Sequence, residues 1–147
     1  FQIAMELNPN AVEPVLSLGV HYLQDSDLQI ASSKPEEGQE SLEKAFAYLE
    51  TADDRSATSA SAQYYFGTAL YKTGANEEAL IRLERALALD QSLYTVRLML
   101  FNVYVAERDY LAALNQLETY LLEYPESPQR EAVERIVTDL QQQLSTP

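Results

Sequence analysis

Apolar residues recur along the chain at helical spacing and in paired blocks. Ala79, Leu83, Ala86 and Leu87 fall at i, i+4, i+7 and i+8, one face of a helix. Phe66, Gly67 and Leu70 mark a second helix just upstream, and Gly74 separates the two. The stretch Gly67–Asp90 therefore reads as two helices joined at a glycine. A shift of 34 positions carries Ala79, Leu83, Ala86 and Leu87 onto Ala113, Leu117, Tyr120 and Leu121. It also carries Phe66 and Leu70 onto Leu100 and Tyr104, and run backwards it reaches Ala45, Leu49 and Ala52. A fixed period that keeps apolar character is the mark of stacked supersecondary units, and 34 residues hold one helix–turn–helix.

The boundary signals agree. Asn76 is expected to cap a helix over Glu77–Leu89, with acids in its first turn. Gly74 is expected to end the preceding helix in a left-handed turn. Asp109 caps Tyr110–Glu123, Pro125 stops it, and Ser127-Pro128 opens a last helix over 128–144. That helix has an apolar stripe of Val133, Ile136, Val137, Leu140 and Leu144. Its other face is polar, as the end of a stack requires.

The N-terminal third is irregular. Leu18, Gly19 and Tyr22 match Phe66, Gly67 and Leu70 at a separation of 48 rather than 34. The excess of 14 residues lies between Tyr22 and Ala45 and is expected as a longer surface loop around 25–38. Ser33 with Glu36 would form a capping box, and Pro35 would open a lengthened helix at about 35–53. A protruding lid is the alternative for this insertion. Residues 1–9 read as the tail of a truncated unit, 11–55 as a unit with the insertion, 57–91 and 92–125 as full units, and 127–144 as a cap.

These residues resemble the tetratricopeptide repeat (TPR) family. One unit shows Phe66-Gly67, Leu70, Gly74, Ala79, Leu83 and Ala86-Leu87. The next shows Leu100, Tyr104, Tyr110, Ala113, Leu117, Leu121 and Pro125, and the start shows Phe1, Ala4, Met5, Leu7 and Asn8-Pro9. The resemblance implies an all-α fold: a right-handed superhelical α-solenoid of antiparallel helix pairs with a C-terminal capping helix. Gly19, Gly67, Ala79 and Ala113 would let paired helices approach closely. Several positions depart from the pattern. Phe101 stands where a small residue is usual and implies a widened pair. Gln91 replaces a closing proline, and Val15, Gln63 and Arg97 stand where an early aromatic is usual.

Composition narrows the function. The 147 residues are 46% hydrophobic with four glycines, which suits one helical domain or short solenoid. A net charge of −13 argues against nucleic acid and anionic lipid, which need clustered Lys and Arg. No apolar run approaches 18 residues, so no membrane insertion is expected. The chain opens on Phe1 with no targeting segment and is expected to be the C-terminal piece of a larger protein, in either cytoplasm or periplasm. There is no cysteine, hence no disulfide or thiolate chemistry.

Catalysis finds no foothold. His21 is the only imidazole, and no spacing supports a triad. The pairs Glu77/Glu78 and Asp53/Asp54 fit helix starts and loops. Asp25-Ser26-Asp27 lacks the glycine and glutamate of a calcium loop. Neither a metal site, a cofactor site nor an enzyme is expected. The resemblance instead implies a concave groove lined by the first helix of each pair. Its candidates are Leu16, Val20, Leu23 and Gln24, then Tyr64, Tyr65, Thr68, Tyr71 and Lys72, then Leu98, Met99, Asn102, Val105 and Ala106. This surface is nearly uncharged, and most acids fall on second helices and loops. The family's cationic grip on a peptide carboxylate has no counterpart, since its places hold Leu16, Val20, Tyr65, Thr95 and Met99, or one pair later Tyr64, Thr68, Met99, Gln129 and Val133. The expected role is a protein-interaction scaffold that takes a peptide or partner segment in the groove. Self-association or interdomain packing through the open N-terminal end is one alternative. A regulatory appendage of an upstream catalytic or carbohydrate-active domain is another.

Overall fold

The computed structural model describes residues 12–56 and 58–146. The proposed tail of a truncated unit, residues 1–9, lies outside them. Among the described residues there are seven helices and no strand: α1 Val12–Ala31, α2 Pro35–Arg55, α3 Ala60–Lys72, α4 Asn76–Leu89, α5 Tyr94–Ala106, α6 Tyr110–Glu123 and α7 Arg130–Ser145. Each helix packs on its sequence neighbours, and α3 also touches α1 and α5. That contact pattern is a stack of helix pairs, the quasi-one-dimensional arrangement of a solenoid.

The small–large alternation along the sequence explains how each pair closes. A Cβ on Gly19 would lie 2.6 Å from Leu49 Cδ2, and one on Gly67 would lie 2.8 Å from Leu83 Cγ. The leucine of each second helix thus sits over a bare backbone on the first. Leu49, Leu83 and Ala45, Ala52, Ala79 and Ala86 are fully buried in one cluster that runs from Val15 to Val103. A second cluster of Leu117, Tyr120, Val133 and Val137 lies beneath α7. Phe101, in the place of Gly67, packs on this second cluster.

Gly74 adopts φ +86°, the left-handed conformation expected of it. Asp109 caps α6, its side chain accepting from Ala112 N–H at 3.1 Å. Three expected caps are corrected. Asn76 is the first helical residue rather than the cap. Ala75 holds that place, and the Asn76 amide donates to Glu107 Oε1 at 2.6 Å. Ser33 forms no capping box, because it takes a left-handed conformation itself (φ 62°) and Lys34 precedes the helix. The last helix starts at Arg130. Ser127 instead accepts from Gln129 N–H at 3.2 Å, closing a turn around Pro128.

The insertion is the largest correction. No long loop spans 25–38: α1 continues to Ala31, α2 begins at Pro35, and only a short turn joins them. The excess residues lengthen both helices, which have 20 and 21 residues against 13 and 14 in the next pair. Residues 25–31 contain neither Gly nor Pro, so nothing stops α1, and Pro35 sits at the start of α2 where its missing N–H costs nothing. The extension closes on small and polar residues. Ser26, Gly38 and Ser41 are buried there, and Ser41 Oγ donates to Gln29 Oε1 at 2.7 Å. A Cβ on Gly38 would stand 2.6 Å from Ile30 Cγ1.

Candidate functional site

The first helices of the pairs, α1, α3 and α5, place the candidate groove residues. On α1, Glu13, Leu16, Ser17, Val20, His21 and Gln24 share one face, since residues three and four apart stack along a helix. Ser61 and Tyr65 of α3 face them across a cleft of about 460 Å³. The cleft brings together four of the expected residues: Leu16, Val20, Gln24 and Tyr65. Its apolar surface comes from Val20 and the Tyr65 ring, over Leu16, which is itself buried in the core rather than open to the cleft as expected of a groove residue. Its rim is polar at Glu13, Ser17, His21, Gln24 and Ser61.

The other candidates are placed differently. Tyr64 packs edge-on against Tyr65, ring centroids 4.9 Å apart. Tyr64, Tyr71 and Met99 are half-buried against the main core, as is Tyr65. Leu23 is buried outright. Thr68 is only 6% exposed and donates its hydroxyl to the Tyr64 carbonyl at 2.9 Å. Lys72 is ion-paired with Asp27 of the α1 extension. Leu98 packs against the second cluster. Asn102 and Ala106 are exposed and Val105 half-buried on α5.

Glu13, Ser17, His21 and Ser61 were missed by the sequence reading. The signal was present in part, because Glu13, Ser17, His21 and Gln24 already fall at helical spacing beside Leu16 and Val20. Polar residues at that spacing equally fit a solvated helix face, so the pattern alone does not assign Glu13, Ser17 and His21 to the cleft. His21 Nε2 lies 3.4 Å from Asp25 Oδ2 one turn on.

Two departures from the repeat pattern now have a physical account. Gln63 is fully buried and its amide donates to Asp53 Oδ1, the carboxylate that also receives Arg82 at 2.7 Å. Arg97 reaches Glu123 at 3.0 and 3.1 Å and Gln116 at 2.9 Å. Polar links to the neighbouring second helices replace the early aromatics.

A second tyrosine group lies where α5 begins and α6 ends. The rings of Tyr94, Tyr120 and Tyr124 meet at centroid distances of 5.3 to 6.3 Å. Tyr120 is fully buried and its hydroxyl bonds Ser127, while the Tyr124 hydroxyl donates to the Gln91 carbonyl. Burial pushes the Tyr124 phenol above its ordinary range, and the Glu123 carboxylate adds to this. Burial does the same at Tyr104, with help from Glu84. Tyr94 and Tyr124 line a niche of about 420 Å³ with Pro125 and Pro128. Among the described residues no group of three acids or imidazoles is arranged to hold a metal, and no helix is long and apolar enough to cross a membrane.

No family model and no curated protein matches the sequence. Solved structures do match. The thermophilic TPR protein TTC0263 of Thermus thermophilus superposes with a TM-score of 0.75 at 20% identity, over 95% of this chain and 68% of that one. MamA matches with a TM-score of 0.63 at 19% identity, over 96% of this chain and 82% of that one. YrrB, described as a TPR protein with an unusual peptide-binding site, matches with a TM-score of 0.57 at 22% identity, over 82% and 55%. At these identities the likeness shows the fold, a TPR-like solenoid of helix pairs, and bears out the fold class read from the repeat.

Proposed function

We propose that this solenoid is a protein-interaction scaffold that holds a peptide or partner segment on its concave face, with no catalysis of its own. The observation that carries this reading is the cleft between α1 and α3, open among the described residues, where Val20 and Tyr65 present apolar surface over buried Leu16 beside hydrogen-bonding groups. Binding sites for chains have that composition, an apolar floor with a few polar groups to fix orientation. Tyr65 is the natural anchor. Its ring offers large contact area at low entropic cost, and its hydroxyl provides one polar tip. The peptide-binding site ascribed to YrrB, on the same fold, supports the reading by analogy.

The test is a selection of binders from a displayed random-peptide library, followed by substitution. Tyr65→Ala is expected to weaken a selected peptide at least about tenfold, the scale of a central aromatic contact, while the far-ultraviolet circular dichroism stays as it was. Asn102→Ala on α5 extends the test along the face. Selected peptides that bind Tyr65→Ala as well as the parent would overturn the reading. So would a folded parent that selects none.

A further inference from the structure

The cleft between α1 and α3 joins the apolar groups of Leu16, Val20 and Tyr65 to a polar rim in which the acid is Glu13, and a second acid of α1, Asp25, lies outside the lining. Asp25 stands one turn beyond His21. No Lys or Arg lines the cleft among the described residues. Lys72 on α3 is held by Asp27, while Arg82 and Arg97 are tied to Asp53 and Glu123. The chain as a whole carries −13. A net negative field over a cleft lined by an acid and by no Lys or Arg favours a cation there and opposes an anion.

We infer that the occupant of this cleft is a peptide segment with apolar side chains flanked by Lys or Arg. The inference rests on the concave-face binding proposed above and adds the chemistry of the partner. The spacing follows from the helix. Glu13 and Asp25 are twelve positions apart on α1, which at a rise of 1.5 Å per residue is about 18 Å. An extended peptide covers that distance in about five to six residues. Cations at the first and sixth positions of a segment can then each face a carboxylate while the residues between them lie on Val20 and Tyr65. An acidic segment of the same shape would set carboxylate against carboxylate at both ends.

Three fluorescein-labelled hexapeptides with identical apolar centres, Lys-Ala-Leu-Leu-Ala-Lys, Gln-Ala-Leu-Leu-Ala-Gln and Glu-Ala-Leu-Leu-Ala-Glu, would be titrated by anisotropy. The lysine peptide is expected to bind at least about tenfold tighter than the glutamate peptide at low salt. Most of that advantage should disappear between about 50 and 500 mM salt, as charge screening shortens. Glu13→Gln and Asp25→Asn should each weaken the lysine peptide several-fold and leave the glutamine peptide unchanged. Glu50→Gln, an exposed acid on α2, should change neither. Equal affinities for all three peptides, each weakened by Tyr65→Ala, would overturn the charge inference and leave concave-face binding standing. Loss of lysine-peptide affinity that is as large in Glu50→Gln as in Glu13→Gln would mark diffuse attraction and also overturn it. If the peptides bind and Tyr65→Ala weakens none of them, both readings fail.

Discussion

At the scale of single residues, two glycines serve the fold for different reasons. Gly67 is bare because Leu83 lies on it: a Cβ would sit 2.8 Å from Leu83 Cγ and 3.3 Å from the Ala79 carbonyl oxygen. Gly74 has nothing within 4 Å of a Cβ, yet its φ of +86° is one that side chains resist. Gly67→Ala should gain about 1 kcal/mol of helix propensity and lose about 1–3 kcal/mol to overpacking, because Leu83 is fully buried and cannot swing away. A net loss of about 1 kcal/mol is expected. Gly74→Ala should lose about 1–2 kcal/mol through the backbone alone. The two are separated by a double-mutant cycle with Leu83→Val, read by urea denaturation. Gly67→Ala should couple to Leu83→Val, with the pair less destabilising than the sum, whereas Gly74→Ala should be additive with it. Additivity at both positions would mean that Leu83 does not set the helix spacing.

Among the elements, the tip of the extended α1–α2 hairpin is built on small and polar residues. Elsewhere leucine and alanine fill the seam of a pair. Here Ser26, Gly38 and Ser41 fill it, and Ser26 Oγ is buried without a hydrogen-bond partner. Leu28 and Ile30 are 65% and 53% exposed, so little apolar area holds the tip. The Lys72–Asp27 ion pair that ties α1 to α3 is largely solvent-facing and worth little. Local opening should therefore begin here. Native-state hydrogen exchange is expected to show lower protection over residues 27–41 than over the centres of α3 and α4. Equal protection would contradict this account. The hairpin also shows where the sequence was legible. The period of 34 rested on buried leucines and alanines, whose positions the core dictates, and it located α4 and α6 nearly to the residue. The extension has no such repeat to follow. Its Ser- and Asp-rich stretch reads as a loop by local preference, and contact between two helices overrides that preference. The cleft was half legible for a related reason. Leu16, Val20 and Tyr65 are groove places that the family resemblance implies, while Glu13, Ser17 and His21 join them only through the geometry of α1 against α3.

For the whole molecule, the division into two buried clusters decides how damage spreads. The main cluster ends at Val103, and the second joins α6 to α7 through Leu117, Tyr120, Val133 and Val137. Among the described helices the last packs on α6 alone. In a chain of nearest-neighbour contacts, a fault at one end need not reach the other. Val137→Asp places a carboxylate where the side chain is 8% exposed and no cation of α6 stands opposite. Burying it unpaired costs more than one helix-to-helix seam can offset. The expected outcome is release of α7, not collapse of the solenoid. Trypsin should then cut at Arg130 and Arg135 well below the concentration that cuts the parent. Helical signal should fall by no more than the 16 residues of α7. Thermal unfolding of the remainder should keep its midpoint within a few degrees, with peptide binding at the α1–α3 cleft intact. A single transition shifted as a whole, with binding lost, would instead show that Tyr120 couples the cap to the pairs before it. The edge-on contact of Tyr94 on α5 with both Tyr120 and Tyr124 is where that coupling would run through the aromatic group. Tyr94→Ala in the Val137→Asp background then decides whether that contact carries it.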